Sequence, residues 1–394
     1  MTPLLPSSTL GIIGGGQLGM MTVREAHRMG YRTAIWDPDP DCPAGRLADL
    51  VVTASFSDPS AAQKLVDSCD VVTYEFENID PGTVEIVEKM KSVYPGSRIL
   101  KVARHRKTEK ETLQRAGFPV VPFSAVANEE ELRRAVKRLG FPVVVKTVTA
   151  GYDGKGQKVL RNHEDVGTLC RSFEERFPEC MVEKFLSLQC EVSVVAVRGT
   201  DGTVVTFPLI ENEHRDNILH VSRIPARVSD ERNAEAIRLG TAIIEHFEIT
   251  GVLCVEMFIT ESDQLVVNEL APRPHNSGHF SVDACSMSQF EALVRAICNL
   301  SLHLPRLLSP CAMVNVLGKH LERIDLGRVQ RIPGAKVHIY GKKRVEPRRK
   351  MGHITILGST LREVEEAVGL IESMMGEDGA RTESPVVSRT ITVM

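Results

Sequence analysis

Apolar and polar positions follow two regimes along the chain. Over the first hundred residues, short apolar runs are separated by helical periodicity. Leu10 to Ile13 ends in Gly14-Gly15-Gly16, and a 3.6-residue pattern opens at Gln17 and continues through Met21, Ala26 and Met29. Thr33 to Trp36, closed by Asp37, then Val51-Val52 and Val71 to Tyr74, read as further strands. Strands alternating with helices predict a parallel sheet covered on both faces. Helices are expected over about 107–116 and over Glu129 to Leu139, stopped by Gly117-Phe118-Pro119 and Gly140-Phe141-Pro142. Beyond Val143 the pattern turns to short strands: VVVK, QKVL, MVEKFL, EVSVVAV, TVVTFPLI, GVLCVEMFI and QLVVNEL, interrupted by helices over about 162–176 and 230–247. That mixture predicts an α+β unit rich in antiparallel pairing. After about 312, strands are expected near MVNVLG, KVHIYG and HITILG, then an amphipathic helix from Thr360 to Met375. The pattern divides the chain into an α/β unit over 1–105, an α+β unit over 106–311 and a small unit with a tail over 312–394.

A length of 394 residues suits two or three such units, and 42% hydrophobic with 25% charged residues excludes disordered and fibrous classes. Lys plus Arg is 48 against 51 Asp plus Glu, a net charge of −3, with no long block of either sign. A general nucleic-acid or membrane-surface binder is therefore not expected. No apolar run reaches 18 residues, and the start MTPLLPSSTL lacks a basic region followed by a long apolar one, so a cytoplasmic protein is expected. Nine cysteines without a C-x-x-C pair point to small buried side chains rather than a zinc site or disulfide framework.

Five segments carry candidate chemistry. Gly14-x-Gly16-x-x-Gly19 lies between a strand and a helix, with Asp37 ending the next strand. Such a turn serves a nicotinamide dinucleotide, another anion, or close packing of helix on strand. GYDGKGQ is a glycine loop between two strands. Gly151, Gly154 and Gly156 let amides approach phosphate oxygens, and Lys146 and Lys155 supply positive charge, unless the segment is a plain surface hairpin. Glu256 and Asn268-Glu269 are acids within apolar strands. Two carboxylates on paired strands suit magnesium bridged to phosphates, the alternative being one salt-bridged acid and one facing solvent. LAPRPHNSGH follows with Arg273, His275, Asn276, Ser277 and His279, and is expected to reach the same cleft rather than form a simple proline-stiffened turn. Tyr340 to His353 is basic, which by charge alone describes a solvated face.

Taken in order, GGGQLG, YEFEN, GYDGKGQ, VEMF…VNELAPRPHNSGH and RKMGH resemble the N5-carboxyaminoimidazole ribonucleotide synthetases, ATP-grasp enzymes of purine synthesis, over about residues 10–358. The resemblance implies a Rossmann-like pre-ATP-grasp domain, an ATP-grasp domain with a lid over about 117–186, and a small C-terminal domain, assembled as a homodimer. It implies carboxylation of 5-aminoimidazole ribonucleotide by bicarbonate and ATP through carboxyphosphate, with magnesium or manganese. By position, Arg106, Lys146 and the loop Gly151 to Gln157 correspond to triphosphate contacts. Glu183, Lys184, Phe185 and Leu186 correspond to the adenine segment, Glu191 to the ribose contact, His214 to a further nucleotide contact, and Glu256 and Glu269, with Asn268 beside them, to the metal ligands. Gln17, Leu18, Glu75, Glu77, Tyr152, Asp153, Lys155, Arg273, His275, Asn276, Ser277, Lys342, Arg349 and Lys350 correspond to the ribonucleotide and carboxylation site. Arg348 stands where a glycine is common. Competing readings are another ATP-grasp ligase, such as a formate-dependent transformylase or a biotin carboxylase, a nicotinamide-dependent dehydrogenase, and a nucleotide-binding regulatory protein without turnover.

Overall fold

The computed structural model describes residues 2–149, 156–172 and 178–377. Four strands form the first sheet: β1 (Thr9–Ile13), β2 (Arg32–Asp37), β3 (Leu50–Thr53) and β4 (Val71–Tyr74), parallel in the order β3-β2-β1-β4. Parallel neighbours need crossovers, supplied here by helices Gln17–Arg28 and Pro59–Asp67. Because strands are covered on both faces, their central residues are mostly apolar, and Ile13, Trp36, Leu65, Val72 and Tyr74 form one core. The chain runs outward from β1 to β3 and then returns to the other side of β1. The loops after Ile13 and Tyr74 therefore flank a crevice at the point where strand order reverses.

A second sheet is antiparallel: β5 (Phe123–Val126), β6 (Val143–Thr147), β7 (Gln157–Leu160) and β8 (Cys180–Lys184), in the order β5-β8-β6-β7. Helices Glu129–Leu139 and His163–Ser172 cover it through Leu132, Val136, Val166 and Leu169. Helix Glu129–Leu139 has the bounds expected from its Asn128 cap and Gly140 stop. β6 and β7 pair as the hairpin predicted around GYDGKGQ, with Lys146 opposite Gln157.

The third sheet has nine strands: β9 (Leu188–Arg198), β10 (Val204–Thr206), β11 (Ile210–Arg215), β12 (Ile218–Ile224), β13 (Gly251–Thr260), β14 (Leu265–Ala271), β15 (Cys311–Leu317), β16 (Ala335–Ile339) and β17 (Lys350–Leu357). Their order is β14-β13-β9-β11-β12-β15-β17-β16, with β10 beside β9. The last three strands form no sheet of their own. β15 pairs with β12 through Val221 opposite Val314, so one hydrogen-bonded surface runs from residue 188 to 357. Two strands here escape the sequence pattern. TVVTFPLI breaks at Phe207-Pro208, and the polar stretch that follows makes the β11–β12 hairpin, turned by Asp216 and Asn217 at φ 50° and 61°. Helix Asp230–His246 packs on this sheet through Ala236, Ile243 and Ile244, and Gln289–Ile297 through Leu293 and Ala296. No helix of the described residues is long and apolar enough to cross a membrane.

Candidate functional site

The glycine turn is built as its sequence requires but holds an unexpected occupant. Helix Gln17–Arg28 begins after Gly16, whose own residue offers no side-chain cap. The N–H groups of Gly16 and Gly19 donate instead to the Glu75 carboxylate at 2.5 and 2.6 Å, and that of Gly15 donates to Asp37 at 2.7 Å. A Cβ at Gly16 would lie 2.5 Å from Glu75 Oε1, and Gly14 sits at φ +101°, so glycine is needed for the carboxylate to approach. Burial, with Asp37 nearby, raises the pKa of Glu75 although both amides favour the charged form. The dehydrogenase reading is overturned here. Amides that would cradle a pyrophosphate already hold the protein's own acids, and Asp37, the expected ribose acid, closes the turn. Gln17 and Leu18 open the helix. Gln17 Oε1 accepts from Lys342 at 2.5 Å, and Lys342 also donates to the Lys350 carbonyl at 2.7 Å. The basic segment thus lies against the glycine turn. Arg349 donates to the Arg344 carbonyl, and Arg348 points to the β11–β12 turn, donating to Asp216 O.

Glu256 on β13 and Glu269 on β14 face each other as register partners. Asn268 is the extra residue of a β-bulge, since Met257 pairs with Val267 while Glu256 pairs with Glu269. Glu269 lies 3.3 Å from Arg106, and Glu256 lies 2.9 Å from His275 Nε2. Burial pushes the Glu256 carboxyl up, but His275, with His214 and Lys350, overcomes it and holds it at about 2. Burial likewise disfavours the His275 imidazolium, and Cys254 and Glu256 beside it lift the group to about 10. His275 Nδ1 meets Ser277 Oγ at 2.9 Å, and from there a buried chain of hydroxyls and amides runs through Ser193, Asn212 and Ser222 at 2.8–2.9 Å per link. Asn276 exchanges two amide hydrogen bonds with Asn315 on β15. The expectation that the whole segment lines the cleft needs correcting for two members. Ser277 and His279 have no exposed surface; Ser277 orients His275, and His279 packs with Phe290 and His353.

Arg273, from the same segment, clasps Glu77 with two hydrogen bonds, one at 2.9 Å. Burial raises the Glu77 carboxyl, and the Arg273 charge and hydrogen bonds bring it down to about 2. This pair joins the YEFEN loop after β4 to the loop after β14. The strand-reversal crevice of the first sheet and the acid pair of the third therefore open onto one cleft.

On the opposite wall, Lys146 of β6 lies 2.6 Å from Glu183 of β8, which is 4% exposed. Burial opposes ionisation of Glu183, but Lys146, Lys110 and Arg106 hold it at about 2. Lys184 turns outward, Phe185 and Leu186 are half-buried, and Glu191 meets His214 at 2.9 Å. Gly156 and Gln157 are at the described end of the loop, while Gly151, Tyr152, Asp153, Gly154 and Lys155 lie outside the described residues. Two buried ionisable side chains were missed by the sequence reading: Glu109 and Lys110, each 2% exposed. Their signal was present, because Arg106, Glu109, Lys110 and Leu113 share one helical face at i, i+3, i+4 and i+7.

Among the described residues, no group of three or more His, Cys, Asp or Glu surrounds a common point fit for a cation. The donor set nevertheless suits magnesium. It offers two facing carboxylates, one held ionised and the other partly exposed, and a hard divalent cation taken with phosphates needs only one or two of them.

The chain matches three family models: a ribonucleotide synthetase preATP-grasp domain over residues 7–104, an ATP-grasp domain over 111–290, and a phosphoribosylaminoimidazole carboxylase C-terminal domain over 311–367. It is 41% identical to the N5-carboxyaminoimidazole ribonucleotide synthase of Bacillus subtilis over 96% of this chain and 99% of that one. A crystal structure of an N5-carboxyaminoimidazole ribonucleotide synthetase with ADP superposes with TM-score 0.90 at 44% identity, covering 96% of this chain and 99% of the other. The Aspergillus clavatus N5-carboxyaminoimidazole synthase, with ADP and 5-aminoimidazole ribonucleotide bound, superposes at 0.88 and 31% identity, covering 95% and 100%.

Proposed function

The chain belongs to the N5-carboxyaminoimidazole ribonucleotide synthase family of ATP-grasp ligases, and from that premise we propose how its residues divide the work. The reaction is ATP-dependent carboxylation of 5-aminoimidazole ribonucleotide. ATP phosphorylates bicarbonate, the carboxyphosphate delivers carbon dioxide to the exocyclic amine, and ADP and phosphate leave.

Nucleotide binds between the second and third sheets. Lys146, Arg106 and the loop Gly151 to Gln157 hold its phosphates, Glu183 to Leu186 meet adenine, and Glu191 takes the ribose hydroxyls with His214 beside it. Glu256 and Glu269, with Asn268 beside Glu269 on β14, would hold magnesium or manganese. When bound, the cation neutralises charge on the transferring phosphoryl group. The ribonucleotide lies in the crevice of the first sheet. Lys342, Arg349 and Lys350 take its phosphate, Gln17, Leu18 and Glu75 line its sugar and base, and Asn276 completes the wall. Glu77 holds Arg273, and Glu256 with Ser277 holds His275, so that both side chains face bicarbonate-derived charge from fixed positions. Tyr152, Asp153 and Lys155 take part in the carboxylation. Asp153 orients the amine or its proton, Lys155 neutralises carboxyphosphate, and Tyr152 excludes water from a labile intermediate. The protein is taken to work as a cytoplasmic homodimer, which sedimentation of the purified chain tests.

The observation that carries this reading is the Arg273–Glu77 clasp, which makes one cleft of the acid pair and the strand-reversal crevice. The experiment is ATP hydrolysis measured with and without aminoimidazole ribonucleotide and bicarbonate. Phosphate release and carboxylated product should rise together when both are added; ATP turnover indifferent to the ribonucleotide would refute the assignment of the crevice.

A further inference from the structure

β14 is the last strand of the nine-stranded sheet, so its outer edge has no neighbouring strand to satisfy its backbone. Helix Arg106–Arg115 and the turn after it cover that edge. Val267 N–H donates to the Pro119 carbonyl at 2.8 Å, Leu270 N–H to Glu109 Oε1 at 2.7 Å, and Lys110 Nζ donates to the carbonyls of Asn268 at 2.6 Å and Val267 at 3.3 Å. Carbonyls of successive residues point opposite ways in a regular strand. One ammonium reaches both here because Asn268 is the bulged residue. Lys110 also lies 3.7 Å from Glu183, so the same buried ammonium touches the nucleotide wall. A buried ammonium is costly in an apolar setting, and a helix needed only to cover an edge has cheaper ways to do so.

We propose that Glu109 and Lys110 are positioning residues: they hold the bulge at Asn268 that sets Glu269 across from Glu256. The proposal rests on the assignment of those two acids to the cation. Neither residue is assigned to the cation or to a substrate; each bonds to the backbone that flanks Glu269. Lys110 fixes the carbonyls on one side of Glu269, Glu109 fixes the amide on the other, and the carboxylate between them is held to one direction. Partners of this kind that orient a metal ligand are typically worth about ten- to a hundredfold in metal affinity.

The test titrates Mn2+ against the full-length protein saturated with ADP, reading free Mn2+ by electron paramagnetic resonance, alongside circular dichroism and melting temperature. Lys110→Met should fold yet bind Mn2+ about ten- to a hundredfold more weakly, with affinity for aminoimidazole ribonucleotide unchanged. Glu109→Gln, which keeps an oxygen for Leu270 N–H, should retain more Mn2+ affinity than Glu109→Leu, and this comparison carries the test if Lys110→Met does not fold. Folded Lys110→Met, or folded Glu109→Leu, with wild-type Mn2+ affinity would overturn the proposal, provided Glu269→Gln loses that affinity. If Glu269→Gln itself binds Mn2+ normally, the assignment of the acid pair is wrong and the positioning role falls with it.

Discussion

Glu269→Gln should abolish ATP turnover while leaving the fold intact, because Glu269 is partly exposed and its loss removes one of two facing carboxylates. Turnover near wild type at saturating magnesium, in protein with an unchanged circular dichroism spectrum, would refute that role. Glu183 has a different consequence. Its carboxyl titrates at about 2 in the fold against an ordinary 4.5, so its contribution to stability is complete above pH 4.5 and disappears as pH falls toward 2. Melting temperature followed from pH 6 down to 3 should fall over that window, and Glu183→Gln, less stable at pH 6, should show a flatter acid limb. Glu269 was legible in the sequence because a charge inside an apolar run is conspicuous, whereas Glu183 entered only through the family resemblance. Glu109 and Lys110 were passed over although they share a face with Leu113, since a helix of RKTEKETLQR looks solvated until a neighbouring strand edge is known.

Among the elements, helix Glu129–Leu139, the β6–β7 hairpin and the β1 turn followed from local signals: a Gly-Phe-Pro stop, and glycines between apolar runs. The β11–β12 hairpin did not, because its polar residues are bonded across the sheet, as Asn212 is to Ser193 and Ser222, and only pairing reveals that such positions are interior. That chain makes Ser193 the element-level test. Ser193→Ala removes the partner of both Asn212 and Ser277 in a buried setting, an expected cost of about 1–3 kcal/mol, read as a lower midpoint in urea. His275 would lose its fixed orientation with it, so kcat should fall more than nucleotide affinity. An unchanged midpoint would mean that the network contributes nothing to stability.

The whole molecule depends on contacts between parts far apart in sequence. Arg273 and Glu77 are 196 positions apart, and removing one side of this half-buried, charge-assisted pair is expected to cost about 1.5–3 kcal/mol. Glu77→Ala should therefore lower the denaturation midpoint and weaken ribonucleotide binding, with the double change Glu77→Ala and Arg273→Ala less damaging to stability than either effect summed. The basic segment tests the other side of the cleft. Lys350→Ala should weaken ribonucleotide binding about ten- to a hundredfold, as loss of a charge-assisted phosphate contact does, while ATP binding stays close to wild type; the reverse pattern would exchange the two subsites. Asp153→Asn should keep nucleotide affinity but raise the ratio of phosphate released to product formed, and a ratio held at unity at full rate would leave the loop a phosphate holder only. Long-range assembly of this kind was legible only through the order of motifs, since no periodicity records which loops meet.

The Glu75 carboxylate at the start of helix Gln17–Arg28 changes the polarity of the turn that sequence alone would read as a phosphate cradle. With its amides satisfied from within, the turn offers oxygen lone pairs and little positive potential. It favours ligand groups that donate, such as hydroxyls and amines, and repels anionic ones. If Lys342, Arg349 and Lys350 take the phosphate as proposed, a ribonucleotide would enter in one orientation, its phosphate on the lysine side of the crevice. An analogue with a second phosphate on its sugar would meet carboxylate where it needs an amide. Inhibitors for this cleft should accordingly be anionic at one end and rich in hydrogen-bond donors at the other.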